Sequence, residues 1–430
     1  MRILSFTGGA GAMYCGSCLR DNALAAALLA RGHDVVLTPV YTPTRTDERN
    51  VSQAQVFFGG ISVFLEQQVP LFRHTPRVFD RIWDAPWVIR LATKRQIKVD
   101  PASLGQMTVS MLRGEQGFQA KEIAKLLEWL RREPRFDVIN LPYALLLGLA
   151  EPLRRELKGP VCCTLQGEDL FLDGLGDEHK AESLALIRAN ARHVDLFLPV
   201  SEYYRDFMPG YLGVPREKMR LVPLGINMEG YTLRPQRREP PFTVGYLARI
   251  APEKGLHVLC EAYHVLRQRE PIPAARLVAA GYLAPEHRPY LEEIRRKMRE
   301  WGLEKEFEYR GEVDRAQKTA FLQSIDVFSV PAVYEEPKGL FLLEALANGV
   351  PVVQPKRGAF PEILDKTGGG LIVPSGDSSA LADAWLDLWR DPEKAFALGR
   401  AGAQGVREHY DVGVMAEAAE QVYRSLAVTH

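Results

Sequence analysis

The chain has 430 residues, 46% of them hydrophobic and 25% charged, with 54 basic and 54 acidic side chains that cancel. That length exceeds what one core supports and points to two or three domains of ordinary globular type. Zero net charge removes the bulk electrostatic reason to expect nucleic acid as a partner, and no apolar stretch reaches the ~20 residues of a membrane span.

Arg2 to Phe6 reads as a short apolar strand. A loop carrying Gly8, Gly9, Gly11, Cys15, Gly16 and Cys18 follows, then an Ala/Leu helix from Asn22 to Ala30 that Gly32 stops, then a strand from Asp34 to Thr38. Strand, loop, helix and strand make a βαβ unit, which predicts a parallel sheet. The dinucleotide-binding fingerprint is incomplete. Tyr14 stands where its third glycine belongs, and no acidic residue ends the second strand. The segment before Gly8 is too short for the apolar region of a signal peptide, so a cytoplasmic location is expected. Five cysteines in a chain of this size do not make a disulfide framework. Cys15 and Cys18 fall at the expected helix start, a setting that lowers a thiol pKa. A redox or metal role needs partners that the sequence does not advertise, so packing or loop shaping is expected for them.

Residues 59–130 show no βα alternation. Phe64, Phe72, Phe79, Trp83 and Trp87 are interleaved with Arg73, Arg77, Arg81 and Arg90, and the stretch reads as a surface helical insertion. Amphipathic helices burying aromatics, an acceptor-binding wall and peripheral membrane contact are its three readings. Strand-like segments return at Phe136–Leu141, Val161–Leu165 and Leu196–Val200. The Arg/Pro-rich run from Tyr231 to Pro241 reads as a linker. The theme then restarts. Phe242 to Tyr246 is a strand, Gly255 to Leu266 a helix and Ala275 to Ala279 a strand, followed by strands at Phe307–Tyr309, Val327–Val330, Val350–Val353 and Leu371–Val373. Val414 to Leu426 is a last helix with no strand after it. The expected organisation is a first domain over 1–230, a linker over 231–241, a second domain over 242–410 and a terminal helix over 411–430.

The most informative run is Pro331 to Pro351. Glu336 and Glu344 bracket a Pro337-Lys338-Gly339 turn, and an apolar helix follows until Gly349 and Pro351 stop it. A free helix N-terminus attracts anions through unpaired N–H groups, and carboxylates on both sides of it can grip hydroxyls flanking a phosphate. That combination suits a sugar joined to a nucleotide diphosphate. Upstream, Arg249 ends a strand and Lys254 is expected to open a helix, so that both cations sit at the carboxyl end of the sheet, where α/β folds bind ligands. There they would stabilise the charge that grows on a departing diphosphate.

Four segments in this order carry a family resemblance: Val222 to Asn227, Val244 to Gly255, Asp326 to Pro331, and Glu336 to Glu344 with its tail through Val353 and Pro361-Glu362. Together they resemble the retaining GT-B glycosyltransferases of family 4 (glycosyl transferases group 1). The resemblance implies two Rossmann-like domains with parallel sheets facing across a cleft, the terminal helix crossing back onto the first. It implies a nucleoside diphosphate sugar as donor, a hydroxyl acceptor of unknown kind, and a reaction without cofactor or metal in which Arg249 and Lys254 supply the compensating charge. It implies that Glu336 holds the donor sugar, that Glu344 accepts from the ribose hydroxyls, and that Gly339 and Leu340 amides meet phosphate. Lys338, in place of the usual aromatic, either contacts phosphate or points to solvent. Gly9 and Gly16 either let the backbone approach the donor or serve a tight turn.

One departure matters. The family places His where Gln166 stands, against the donor sugar; Gln can hydrogen-bond there but cannot take a proton near neutral pH. Glu168 and Asp169 are the nearby acceptor-side candidates, with plain surface carboxylates as the alternative. His33 reads as a structural turn residue. A nucleotide-sugar epimerase or hydrolase on the same fold, and a non-catalytic nucleotide-sugar-binding protein, are the rival functions.

Overall fold

The computed structural model of the chain describes residues 1–9, 13–58, 101–235, 240–269 and 272–427. Two compact units result: Met1–Pro223 with Ala416–His430, and Leu224–Met415.

The first unit is built on strands β1 (Arg2–Thr7), β2 (Asp34–Pro39), β3 (Val138–Leu141), β4 (Val161–Leu165) and β5 (Leu196–Pro199), ordered β2-β1-β3-β4-β5. All four pairings are parallel, with Ile3 beside Val35 and Val138, Ile139 beside Val161, and Cys163 beside Phe197. Strands buried on both faces must be apolar almost throughout, and β3 and β4 are buried at every residue. The second unit has β6 (Phe242–Leu247), β7 (Ala275–Ala280), β8 (Phe307–Tyr309), β9 (Val327–Phe328), β10 (Val352–Pro355) and β11 (Gly370–Val373), ordered β11-β10-β9-β6-β7-β8 and again parallel. Each unit encloses its own apolar core. This is the doubly wound α/β architecture expected from the sequence.

Strand order fixes where ligands bind. In the second sheet β6 leads to β7 and β8 on one side, and the chain then crosses to β9, β10 and β11 on the other. The loops after β6 and β9 therefore diverge at the carboxyl end and leave a crevice, the topological switch point. In the first sheet the same reversal lies between β1 and β3.

Three expectations change. Residues 101–130 are not a surface insertion. They form the helix Pro101–Leu112, a short 3-10 turn and the amphipathic helix Ala120–Leu130, and Met111, Leu112, Ile123, Leu126, Leu127 and Leu130 are buried in the first core. They belong to the crossover that parallel strands β2 and β3 require. The aromatic and arginine positions from Phe64 to Arg90, like Gly11, lie outside the described residues. The division of the chain falls after Pro223, ahead of the expected linker. Tyr231 is buried in the second core, and the guanidinium of Arg234 donates to the carbonyls of Ile325 (2.7 Å) and Gly349 (3.3 Å), so this part of the run is packed. Finally, the helix predicted from Asn22 begins earlier, at Gly16.

Residues from Ala416 onward group with the first unit. Glu420 takes Arg31 (2.7 Å) and lies 3.4 Å from His33, whose buried ring thus has a structural partner. Among the described residues no helix is long and apolar enough to cross a membrane.

Candidate functional site

In the second unit, β6 delivers Arg249 and Lys254 to its carboxyl end. Lys254 does not open a helix, as the sequence suggested. It closes the 3-10 turn Pro252–Lys254, and the helix begins after it at Leu256. The tighter turn carries the ammonium inward. The Glu253 carbonyl accepts from the Val333 amide at 2.9 Å, which ties this loop to the one that follows β9.

That second loop carries Tyr334 and Glu336. Lys254 Nζ lies 2.5 Å from Glu336 Oε2 and 2.5 Å from the Tyr334 hydroxyl, and Tyr334 also donates to Glu336 Oε2. The other carboxylate oxygen, Oε1, accepts from the amides of Lys338 (3.2 Å) and Gly339 (3.4 Å). Lys254 is 9% exposed and Glu336 3%. Burial alone would push the Glu336 pKa up, but the adjacent ammonium and the Tyr334 hydroxyl bring it down to about 2. Burial draws the Lys254 pKa down, while Glu336 opposes it. The pair is a buried ion pair at neutral pH, and both Arg249 and Lys338 act on Lys254 as like charges. The Arg249 side chain is 42% exposed and reaches Glu253 at 3.1 Å.

Gly339 caps the helix Leu340–Ala347 from the left-handed region, at φ +66. A Cβ there would also sit 2.9 Å from the Ile363 side chain, so both backbone and packing select glycine. Ahead of this helix the Glu336 carboxylate already accepts from the amides of Lys338 and Gly339. Leu340 supplies the first helical amide, one of the donors that lack an intrahelical partner.

Glu344 lies in the second turn of this helix and has partners of its own. Its Oε1 takes Lys318 Nζ at 2.5 Å and the Tyr231 hydroxyl at 3.3 Å, and the residue is 7% exposed. The structure thus gathers Lys254, Glu336, Arg249, Lys338 and Gly339, and holds Glu344 in a second buried ion pair. Tyr334, Lys318 and Tyr231 were missed from the sequence. Tyr334 could have been found, because it stands two residues from Glu336. Lys318 gives no signal: it is one polar residue among several on an amphipathic helix.

The first unit is described separately. Gly9 adopts φ +72 after β1, where a Cβ would come 1.9 Å from the Thr42 carbonyl oxygen, so a tight turn explains it. Gly16 opens the helix Gly16–Ala30. Gln166, after β4, is buried; its Nε2 donates to the Pro142 carbonyl at 2.9 Å and to Asp21 Oδ1 at 3.3 Å. Two acceptors on one side fix the amide orientation, and Oε1 has no hydrogen-bond partner among the described residues.

Glu168 Oε1 accepts from the Ala144 amide, and Oε2 from the amides of Gln166 and Gly167 and from the Tyr204 hydroxyl. Burial raises its pKa against those amides. So many donors make it a brace for its loop rather than a base at liberty to take a proton. Asp169 accepts from Tyr204 at 2.7 Å; burial raises its pKa and that hydrogen bond opposes the rise. Among the described residues no group of three or more His, Cys, Asp and Glu could hold a metal ion.

Comparison with known proteins gives one answer. The family model for glycosyl transferases group 1 matches residues 233–405, and that for a glycosyl transferase 4-like domain matches residues 21–225. A phosphatidyl-myo-inositol mannosyltransferase of Mycobacterium leprae is 32% identical over 212 residues, covering 48% of this chain and 54% of that protein. The chain spans about half the length of that curated relative. Sucrose-phosphate synthase from Thermosynechococcus elongatus superposes with a TM-score of 0.72 at 20% identity, covering 100% of both chains. HepE of Anabaena, solved in complex with UDP-glucose, gives 0.68 at 18% identity, covering 99% of this chain and 100% of that one. The fold is that of the GT-B enzymes; residues 233–405 belong with the group 1 glycosyltransferases and residues 21–225 with the glycosyl transferase 4-like domains.

Proposed function

We propose that this protein is a retaining glycosyltransferase that moves a sugar from a nucleoside diphosphate sugar to a hydroxyl acceptor. The observation that carries the reading is the Lys254–Glu336 pair at the switch point of the second sheet, flanked by Arg249, Lys338 and a helix N-terminus. A diphosphate gains charge as its bond to the sugar breaks, and cations already in place stabilise that change without reorganisation. Arg249 suits two phosphate oxygens through its planar fork; Lys254 supplies a point charge. Lys338 and the Leu340 amide complete the phosphate contacts, the Gly339 amide being engaged by Glu336.

Glu336, kept ionised, accepts from hydroxyls of the donor sugar while its bonds to Lys254 and Tyr334 hold it in place. Glu344, locked by Lys318, accepts from the ribose. The departing phosphate takes the acceptor's proton, so retention needs no separate protein base, and the transition state has oxocarbenium character. Gln166 retains a hydrogen-bond acceptor, uncommitted among the described residues, for the donor sugar, and Asp169 is the acceptor-side carboxylate with fewer internal commitments. Two comparisons support the donor class. HepE was solved with UDP-glucose, and the mycobacterial relative is named a mannosyltransferase.

The test is incubation of the purified protein with labelled UDP- and GDP-sugars, with and without sugar, cyclitol and lipid-linked acceptors. Product must form only when an acceptor is present, with the anomeric configuration of the donor kept by NMR. Altered sugar without an acceptor would establish an epimerase instead, and inverted product would rule out the retaining mechanism.

A further inference from the structure

Cys15 and Cys18 stand apart from that chemistry. Cys15 is the N-cap of the helix Gly16–Ala30, with φ −107 and ψ 126, and Cys18 lies one turn inside, where the Leu19 amide donates to the Cys15 carbonyl at 2.9 Å. As positions i and i+3 at one helix start, the two side chains lie on the same side of it. Cys15 is partly exposed and Cys18 is buried. The helix start was expected to lower a thiol pKa; burial and the neighbouring Cys15 and Asp21 instead raise that of Cys18.

Asp21 follows one turn beyond Cys18 and is also buried. Arg20 and Gln166 each reach its carboxylate at 3.3 Å, and its charge helps raise the pKa of Cys18, Tyr143 and Tyr423. Arg20 neutralises it only in part: one guanidinium nitrogen lies 3.3 Å from Oδ1, while Nε and Nη2 have no hydrogen-bond partner among the described residues. Two thiols one turn apart at a helix start, one reachable and one buried, with a carboxylate under the buried one, are the parts of a thiol–disulfide exchange centre.

We propose that Cys15 and Cys18 form a reversible dithiol–disulfide site that exchanges electrons with small disulfides such as glutathione disulfide, Asp21 taking the proton of Cys18. In the first step the Cys15 thiolate attacks glutathione disulfide. A bond forms between Cys15 and one glutathione sulfur, and the other glutathione leaves as a thiolate that gains a proton from solvent. In the second step Cys18 loses its proton to Asp21 and attacks the Cys15 sulfur. The Cys15–glutathione bond breaks, and a second glutathione thiolate leaves and is protonated. Two protein thiols are oxidised by two electrons and one glutathione disulfide is reduced to two thiols. Asp21 also receives Gln166 Nε2 at 3.3 Å, and the thiol chemistry itself does not depend on the proposed transfer reaction.

The test equilibrates the intact protein with defined ratios of reduced and oxidised glutathione, quenches it with an alkylating reagent and maps the peptides by mass spectrometry. The expected product is an internal Cys15–Cys18 disulfide, with Cys162, Cys163 and Cys260 alkylated only after denaturation. Cys18→Ser must accumulate the Cys15–glutathione adduct. Asp21→Asn must slow ring closure at pH 7 by at least about tenfold, the low end for loss of a general base. In the wild type that closure accelerates as pH rises through about 6, where Asp21 ionises. Failure of the wild-type protein to form an internal disulfide overturns the proposal. So does reaction of Cys15 no faster than the buried cysteines. Should Asp21→Asn not fold, the pH dependence of wild-type closure decides the role of Asp21, and a flat profile between pH 5 and about 7.5 removes it.

Discussion

Glu336 and Glu168 occupy matching places, and the protein treats them in opposite ways. Each is buried and each follows a strand near the carboxyl end of a parallel sheet. Both accept from backbone amides and a tyrosine; Glu336 also meets an ammonium and is held down at about pKa 2, whereas burial pushes Glu168 up. Lys338 also favours the ionised form of Glu336, while Arg249, which acts on Lys254 as a like charge, is itself paired with Glu253. Among the described residues no cation is a hydrogen-bond donor to Glu168. Position at a strand end is therefore common to both carboxylates, and the ammonium beside Glu336 separates them.

Breaking the Lys254–Glu336 pair should have the largest effect. Lys254→Ala leaves a buried carboxylate without its cation, a loss of about 3–5 kcal/mol, and should abolish measurable transfer; urea unfolding and a transfer assay read the two losses. Glu344→Ala should destabilise the fold by a similar amount, about 3–5 kcal/mol, for the same reason. The double variant Lys318→Ala/Glu344→Ala should recover a clear part of it, and strictly additive losses would mean that the pair is not coupled.

Arg249→Ala sharpens the comparison, because Arg249 is exposed. Transfer should fall by about 10²–10³-fold, as for removal of one transition-state donor, while stability stays within ~0.5 kcal/mol. Acid unfolding separates the two glutamates. Glu336 has a folded pKa below its unfolded value, so its contribution is fully present above about pH 4.5 and is lost as pH falls toward 2. Glu336→Gln should flatten the stability profile across that window, whereas Glu168→Gln should not. The smallest expected effect is that of Gln166→His, a change in donor preference with a turnover loss below about tenfold, because the site keeps a hydrogen-bonding side chain.

Much of this was legible in the chain. The continuous apolar runs at β4, β6 and β7 and the turns between them announced two parallel α/β units. Glu336, Lys338 and Gly339 could be placed at a helix start from the Pro337 turn alone. Lys254 was assigned to the right loop but the wrong element, because a Pro252 turn and a helix start look alike until the inward direction of the side chain is known. The partners of Glu344 were not legible. Lys318 and Tyr231 come from 26 and 113 residues away, and pairing at that distance is a property of packing, not of spacing. The crossover at 101–130 was misjudged for a related reason: its apolar residues, Met111, Leu112, Ile123 and Leu126 among them, serve a core made by strands far along the chain.

The most direct test of the donor site is calorimetric titration of UDP, GDP and ADP, and of their glucose and mannose conjugates, into the wild-type protein and Arg249→Ala. At least one compound should bind the wild type, and the variant should bind it at least about tenfold more weakly, a cost of about 1.4 kcal/mol, with an unchanged circular dichroism spectrum. Equal affinity in the two proteins, or no binding of any of these ligands to the wild type, would contradict the assignment of the Lys254–Glu336 crevice to a nucleotide sugar.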